Sequence, residues 1–133
     1  MTALNLVETE ALIDGRWVGG ETTFDVFNPA DEAVIAKVAD LGAEETTLAI
    51  DAAHRALPAW GAKTAKERGA ILRRWSDLML AHADDLARLM TAEQGKPLAE
   101  AKGEVAYGAA FIDWFADEAK RAYGHTIPTP MPG

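Results

Sequence analysis

Hydrophobic positions in residues 11–40 alternate over short stretches that are separated by turn-forming residues. Alternation with a period of two is typical of β-strands. The pair Asp14-Gly15 is a strong tight-turn signal, and it predicts a hairpin between the apolar residues on either side of it. Further strand-like runs cover residues 22–27 and 34–38. We therefore predict a small antiparallel β meander in this part of the chain.

From residue 43 to residue 124 the hydrophobic period changes to that of a helix, which predicts about four α-helices. Thr64 and Glu67 have the spacing of a capping box, so the second helix is expected to begin there. Gly95 is well placed to end the third helix. The stripe of the second helix that we expect to be buried consists of Ile71, Leu72, Trp75, Leu78 and Met79.

The fourth predicted helix, over about residues 97–123, is apolar on more than one side. An aromatic stripe of Tyr107, Phe111 and Trp114 runs beside its main apolar face. A helix that is apolar on several sides is typical of the interior of a larger body, so we expect part of its covering surface to come from outside these residues. The main apolar face comprises Leu98, Ala101, Val105, Ala109, Ile112, Phe115 and Ala119.

Two glycines, Gly103 and Gly108, lie inside the fourth predicted helix. Each costs about 1 kcal/mol relative to alanine at such a position. Glycine kept at that cost usually marks the close approach of another backbone. We therefore predict a close contact at both positions.

The composition is that of an acidic globular chain, with 49% apolar residues, a formal net charge of −8 and a pI of about 4.8. An acidic balance disfavours nucleic acid and anionic membranes, because phosphate binding depends on lysine and arginine. No apolar run approaches the length of a transmembrane helix, and the acidic start lacks the pattern of a signal peptide. We therefore expect no nucleic-acid partner, no membrane association and a cytoplasmic location.

Few residues of the chain point to catalysis. The three histidines, His54, His82 and His125, do not have the spacing of a zinc site. The sequence contains neither the glycine-rich fingerprint of a dinucleotide-binding turn nor a P-loop. It also contains no cysteine, which excludes disulfides, thiolate metal sites and thiol catalysis within these residues.

The chain contains, in this order, the segments LIDGRWV, FNPADEAVIAKVAD, AIDAAHRALPAW, TAKERGAILRRW, EQGKPLAEAKGE and YGHTIP. Together they resemble the N-terminal third of NAD(P)-dependent aldehyde dehydrogenases, most closely bacterial semialdehyde dehydrogenases. The resemblance implies an α/β parent fold with a Rossmann-type cofactor domain, and residues 1–133 would be the N-terminal part of that domain. Residues 11–40 would form a strand-rich arm, residues 43–124 a helical part, and residues 125–133 an extended connector toward the oligomerisation region.

The same resemblance implies oxidation of a semialdehyde, with succinate semialdehyde as the expected substrate and NAD or NADP as hydride acceptor. In that family a cysteine thiolate adds to the aldehyde, a glutamate activates water to hydrolyse the thioester, and an asparagine helps to hold the oxyanion. Because this chain has no cysteine, we expect the catalytic residues and the cofactor contacts to lie outside it. The isolated chain should be inactive, and its partners should be the remainder of the parent polypeptide and, in a homodimer or homotetramer, further copies.

Two roles implied by the resemblance fall on residues of this chain. Tyr107 matches a position that lines the substrate tunnel, and Phe111 lies one helical turn further on; packing in the core is the alternative for both. Some family members bind a structural monovalent cation, whose ligands here would be the carbonyl oxygens of Val26 or Phe27 and the carboxylate of Glu93. A simple position at a helix end is the alternative for Glu93.

The sequence leaves two other functional hypotheses open. The chain could be a self-contained helical protein-interaction module that docks a partner on its fourth helix. It could also be a helical domain that binds a small ligand without catalysis, in which case this chain alone should enclose a well-formed pocket.

Overall fold

The computed structural model describes residue 4, residues 6–125, residues 127–128 and residue 131. In these residues the chain forms four short β-strands followed by four α-helices. The connector predicted for residues 125–133 lies largely outside the described residues. The strands are β1 (Ala11–Ile13), β2 (Arg16–Val18), β3 (Thr23–Phe27) and β4 (Val34–Ala39), and the helices are α1 (Ala43–Gly61), α2 (Ala65–Ala81), α3 (Ala83–Gln94) and α4 (Leu98–Glu118).

The strands form two antiparallel hairpins, β1–β2 and β3–β4. Asp14 and Gly15 join β1 to β2 with φ angles of 52° and 73°, the two positive values that a tight hairpin turn requires. The antiparallel pairing that we predicted is confirmed, but it is divided between two separate sheets instead of forming one meander. Gly19 and Gly20 follow β2 and separate it from β3, so the ladder does not continue from one hairpin to the next.

The helical part is organised around α4, which packs mainly against α2 and also against α3. Ser76 of α2 is buried, and its hydroxyl donates a hydrogen bond of 2.9 Å to the carbonyl oxygen of Ala109 in α4. The buried hydrophobic residues in the described part of the chain are small: Ala52, Ala87, Ala101, Val105, Ala109 and Ala116. Within that part, no large side chain is fully buried.

Close approach of backbones occurs at a different glycine from those that we predicted. A Cβ atom added at Gly69 of α2 would lie 2.6 Å from the carbonyl oxygen of Ala116 in α4, so the two helices touch there through their backbones. Gly108 is in ordinary contact, since its added Cβ would lie 3.5 Å from Cε of Met79. Gly103 faces open space, and the prediction of a close contact there was wrong for this chain.

The stripe predicted for α2 is divided between two environments. Leu72 and Met79 are half-buried, whereas Ile71, Trp75 and Leu78 are exposed, Trp75 with 55% of its surface accessible. The reason is that α2 meets α4 along Gly69 and Ser76, whose small size allows the two backbones to approach. The packed strip is therefore turned away from the bulkiest residues of the helix.

The predicted main face of α4 is also only partly buried. Ala101, Val105 and Ala109 are buried as expected, but Leu98 is exposed and Phe115 has 57% of its surface accessible. The helix ends at Glu118, earlier than the predicted boundary at about residue 123. Small side chains thus form the contact strip of α4, and large ones lie beside it.

The predicted start of α2 and the predicted end of α3 are confirmed. The Thr64 hydroxyl accepts a hydrogen bond from the backbone N–H of Glu67, whose carboxylate in turn accepts one of 2.7 Å from the N–H of Thr64. Gly95 ends α3 with a φ of 75°, and a Cβ atom added there would lie 3.1 Å from Cγ of Pro29.

In the described residues, no helix has both the length and the apolar character needed to cross a membrane.

Candidate functional site

An exposed group of aromatic side chains on α4 is the most distinctive surface of the helical part. We call it the aromatic face and define it by Tyr107, Phe111, Trp114 and Phe115, which line a shallow open groove of about 320 Å³ together with Ala110. Tyr107, Phe111 and Phe115 follow one another at spacings of four residues, and Trp114 lies three residues after Phe111, so the four side chains share one broad side of the helix. All four are exposed, and Tyr107 has 67% of its surface accessible.

Tyr107 and Phe111, the two residues predicted to line a substrate tunnel, are in direct contact. Their ring centroids are 4.8 Å apart with an interplanar angle of 85°, an edge-to-face arrangement. This geometry is favoured by the quadrupoles of aromatic rings and limits the rotation of both side chains. The structure does not place either residue in the core, since both are exposed in this chain.

Ion pairs link α4 to the neighbouring helices. Arg73 of α2 pairs with Asp113, and its Nη2 donates a hydrogen bond of 3.0 Å to Asp117. The pKa of Asp117 is lowered from its ordinary value of 3.8 by hydrogen bonds from Lys120 and Arg73. Exposed pairs of this kind contribute little stability individually.

A similar pair links α4 to α3. Lys102 lies 2.7 Å from the carboxylate of Asp84, and this hydrogen bond is the main reason why the pKa of Asp84 is lowered from its ordinary value of 3.8. Lys96, in the segment before α4, pairs with Glu104. Helix α4 is therefore held by charge pairs toward both of its neighbours.

The aromatic face is suited to binding an apolar ligand segment. Its lining consists of four aromatic side chains and one alanine, and its polar side-chain groups are the Tyr107 hydroxyl and the indole N–H of Trp114. Such a surface stabilises an apolar ligand segment by dispersion and by exclusion of water. The groove on α4 is open, and the described residues do not enclose it.

Two members of the aromatic face were not assigned to a site from the sequence. Trp114 was recognised as part of the aromatic stripe, whereas Phe115 was assigned to the buried face because it lies three residues after Ile112. The spacing of Phe115 from Phe111, one helical turn, was the signal that could have placed it in the aromatic face.

The residues predicted to bind a cation are only partly brought together. Val26 and Glu93 line the same cleft of about 490 Å³ between the β3–β4 hairpin and α3, whereas Phe27 is not part of its lining. Val26 and Phe27 are successive residues of β3, so their side chains point to opposite faces of the strand pair, and the pairing register also shifts between them. The cleft is otherwise lined by Leu6, Val7, Glu8, Phe24, Ile35, Ala36, Val38 and Leu89.

A cluster of three or more histidine, cysteine, aspartate or glutamate side chains able to hold a metal ion is absent from the described part of the chain. The predicted cation site depends on backbone carbonyl oxygens and on a single carboxylate, Glu93. Oxygen ligands of this type suit a hard cation.

Comparison with known proteins identifies the family. Residues 17–133 match the family model of the aldehyde dehydrogenase family. Succinate-semialdehyde dehydrogenase [NADP(+)] of Escherichia coli (strain K12) is 60% identical over 126 residues, which cover 93% of this chain and 26% of that protein. Glutarate-semialdehyde dehydrogenase of Pseudomonas putida is 59% identical over 129 residues, which cover 96% of this chain and 27% of that protein.

A solved structure matches the fold over the whole chain. The crystal structure of an aldehyde dehydrogenase from Brucella melitensis biovar abortus 2308 superposes with a TM-score of 0.95 and 55% sequence identity, covering 100% of this chain and 29% of that one. The chain thus spans about a quarter of the length of the relatives that it matches. The fold inferred from the resemblance, a hairpin-and-helix segment of a larger α/β protein, is confirmed. The chain belongs to the aldehyde dehydrogenase family.

Proposed function

We propose that residues 1–133 form the N-terminal part of the cofactor-binding domain of an NAD(P)-dependent semialdehyde dehydrogenase. The parent protein oxidises a semialdehyde to the carboxylate, and NAD(P)+ accepts the hydride. The observation that carries this proposal is the similarity of nearly the whole chain, at 60% and 59% identity, to two enzymes named for semialdehyde substrates. Succinate semialdehyde is the proposed substrate, and glutarate semialdehyde is its nearest competitor because it differs by one methylene group.

The small core supports the view that these residues belong to a larger body. In the described residues the buried hydrophobic side chains are alanines and one valine, while aromatic residues of α4 are exposed. An isolated domain normally buries its largest apolar side chains. The remainder of the parent polypeptide would therefore provide the missing cover. No observation favours a self-contained interaction module over this proposal.

The chemistry is proposed to reside outside this chain. The sequence has no cysteine to serve as the nucleophile and no glycine-rich dinucleotide fingerprint. The cofactor contacts are therefore proposed to lie outside this chain, and the contribution of these residues is to shape the space in which the substrate lies. An assay of the purified chain with succinate semialdehyde and NAD(P)+ should show no formation of reduced nicotinamide; turnover by the chain alone would contradict the proposal.

Tyr107 and Phe111 are proposed to form one wall of the substrate tunnel. Their contact and edge-to-face geometry make a rigid apolar surface, and the methylene segment of a semialdehyde is apolar between its two polar ends. Contact with a rigid ring orients such a segment without a hydrogen bond. The tunnel would be closed by residues outside this chain, since the groove on α4 is open.

The tunnel proposal is tested in the full-length parent enzyme with Tyr107→Ala and Phe111→Ala. Loss of an apolar contact of this size is worth about 1–3 kcal/mol in substrate binding, so KM for succinate semialdehyde should rise roughly ten-fold or more with a smaller change in kcat. Tyr123→Ala is the matched control, because Tyr123 lies after the end of α4 and is not part of the aromatic face. Equal KM values for Tyr107→Ala and Tyr123→Ala would contradict the role of Tyr107 while leaving the enzyme assignment intact.

Glu93 and the carbonyl oxygens of Val26 or Phe27 are proposed to bind a structural monovalent cation. The cleft shared by Val26 and Glu93 supports this proposal. In the parent enzyme, the increase in Tm when choline is replaced by potassium or sodium should be lost in Glu93→Gln. Glu100→Gln, which alters an exposed glutamate in the first turn of α4, should keep the increase. A cation effect that is the same in both variants would contradict the site.

We also propose that the parent protein is a homodimer or a homotetramer and that it is located in the cytoplasm. Family membership supports the oligomer. The absence of cysteine is compatible with a reducing compartment. Light scattering of the purified full-length enzyme should give two or four times the mass of one chain, and a stable monomer with full activity would contradict the assembly.

A further inference from the structure

We draw no further inference here: the strongest candidate, the exposed apolar stripe that Ile71, Trp75 and Leu78 form along α2, carries none because nothing in the structure shows what covers it.

Discussion

The two sides of α4 differ in almost every respect. The side that faces α2 carries small residues, among them Ala109 and Ala116, and is buried. A second side carries the aromatic face and is exposed. Full burial of one large apolar side chain is worth about 1.5–3 kcal/mol, so the chain by itself gains little from its largest residues.

This difference separates two tasks within one helix. Small side chains allow the backbones of α2 and α4 to meet, as Gly69 and Ala116 show. Rigid packing on that side then holds the aromatic side at a fixed angle, which suits a wall for a ligand better than a mobile helix would. The substitutions below test whether stability depends on the small-residue side and the aromatic face contributes little to it.

The largest effect on stability is expected for Gly69→Ala. The new Cβ atom would lie 2.6 Å from the carbonyl oxygen of Ala116, so α2 and α4 have to move apart. Overpacking of this kind costs about 1–3 kcal/mol, and urea unfolding of the chain measures it.

Gly103→Ala is the control for this experiment. A Cβ atom added at Gly103 has no neighbour within 4 Å, so alanine should raise the free energy of unfolding by up to about 1 kcal/mol. If Gly69→Ala raised the free energy of unfolding as Gly103→Ala is expected to, the close contact at Gly69 would be refuted.

A smaller loss of unfolding free energy is expected for Ser76→Ala. The substitution removes a buried hydroxyl that donates to the carbonyl oxygen of Ala109 at 2.9 Å, and such a hydrogen bond contributes about 1 kcal/mol. Thr46→Ala, which removes an exposed hydroxyl bonded to the carbonyl oxygen of Gly42, should cost less. Equal losses would indicate that burial at the α2–α4 contact adds nothing to the hydrogen bond.

A pH-dependent effect is expected at the start of α2. Hydrogen bonds from the side chain and backbone of Thr64 lower the pKa of Glu67 below its ordinary value of 4.5. A lowered folded-state pKa stabilises the fold above the unfolded value, and this contribution is lost as the pH falls through the folded value. The destabilisation caused by Thr64→Ala should therefore be larger at neutral pH than well below pH 4.5.

Thr47→Ala provides the reference for this pH effect. The Thr47 hydroxyl donates to the carbonyl oxygen of Ala43, which does not titrate. Its substitution should change the urea midpoint by the same amount at both pH values. A Thr64→Ala effect that is equally constant would show that the capping box does not couple to the charge of Glu67.

The smallest effect is expected on the aromatic face. Phe111→Ala should change the free energy of unfolding of the chain by no more than about 0.5 kcal/mol, because the side chain is exposed and its described ring contact is with exposed Tyr107. Thermal unfolding of the chain measures this change. A loss of unfolding free energy as large as that caused by Gly69→Ala would mean that the aromatic face stabilises the fold of the chain.

Local features of the fold were predictable because their causes lie within a few residues. The Asp14-Gly15 turn, the capping box of Thr64 and Glu67, and the end of α3 at Gly95 were all placed correctly. In each case the backbone angle or the hydrogen bond depends on the residue itself and its immediate neighbours.

Packing was less predictable, because periodicity identifies apolar residues but not their partners. Trp75 fits a buried stripe by spacing, yet α4 contacts the side of α2 that carries Gly69. A glycine of this kind is recognisable only when the second helix is known, and Gly103 shows that the residue type alone is a poor guide.

The candidate site depended on resemblance more than on pattern. The spacing of Tyr107 and Phe111 predicted a shared helix side, and only the family likeness suggested a tunnel. Phe115 was assigned to the core because it lies three residues after Ile112, the spacing of a shared helix face. Phe115 is exposed, and it lies at the boundary between the buried side of α4 and the aromatic face.

Gly95 has a consequence that reaches beyond the end of one helix. Its left-handed backbone allows α3 to stop, and its lack of a side chain leaves room for Pro29 in the loop after β3. Any larger residue would both strain the turn and press on the proline ring, so one position couples the hairpin region to the helical region. Redesign of the Asn28-Pro29 loop must therefore preserve this glycine, or the proline and the end of α3 will have to shift against each other.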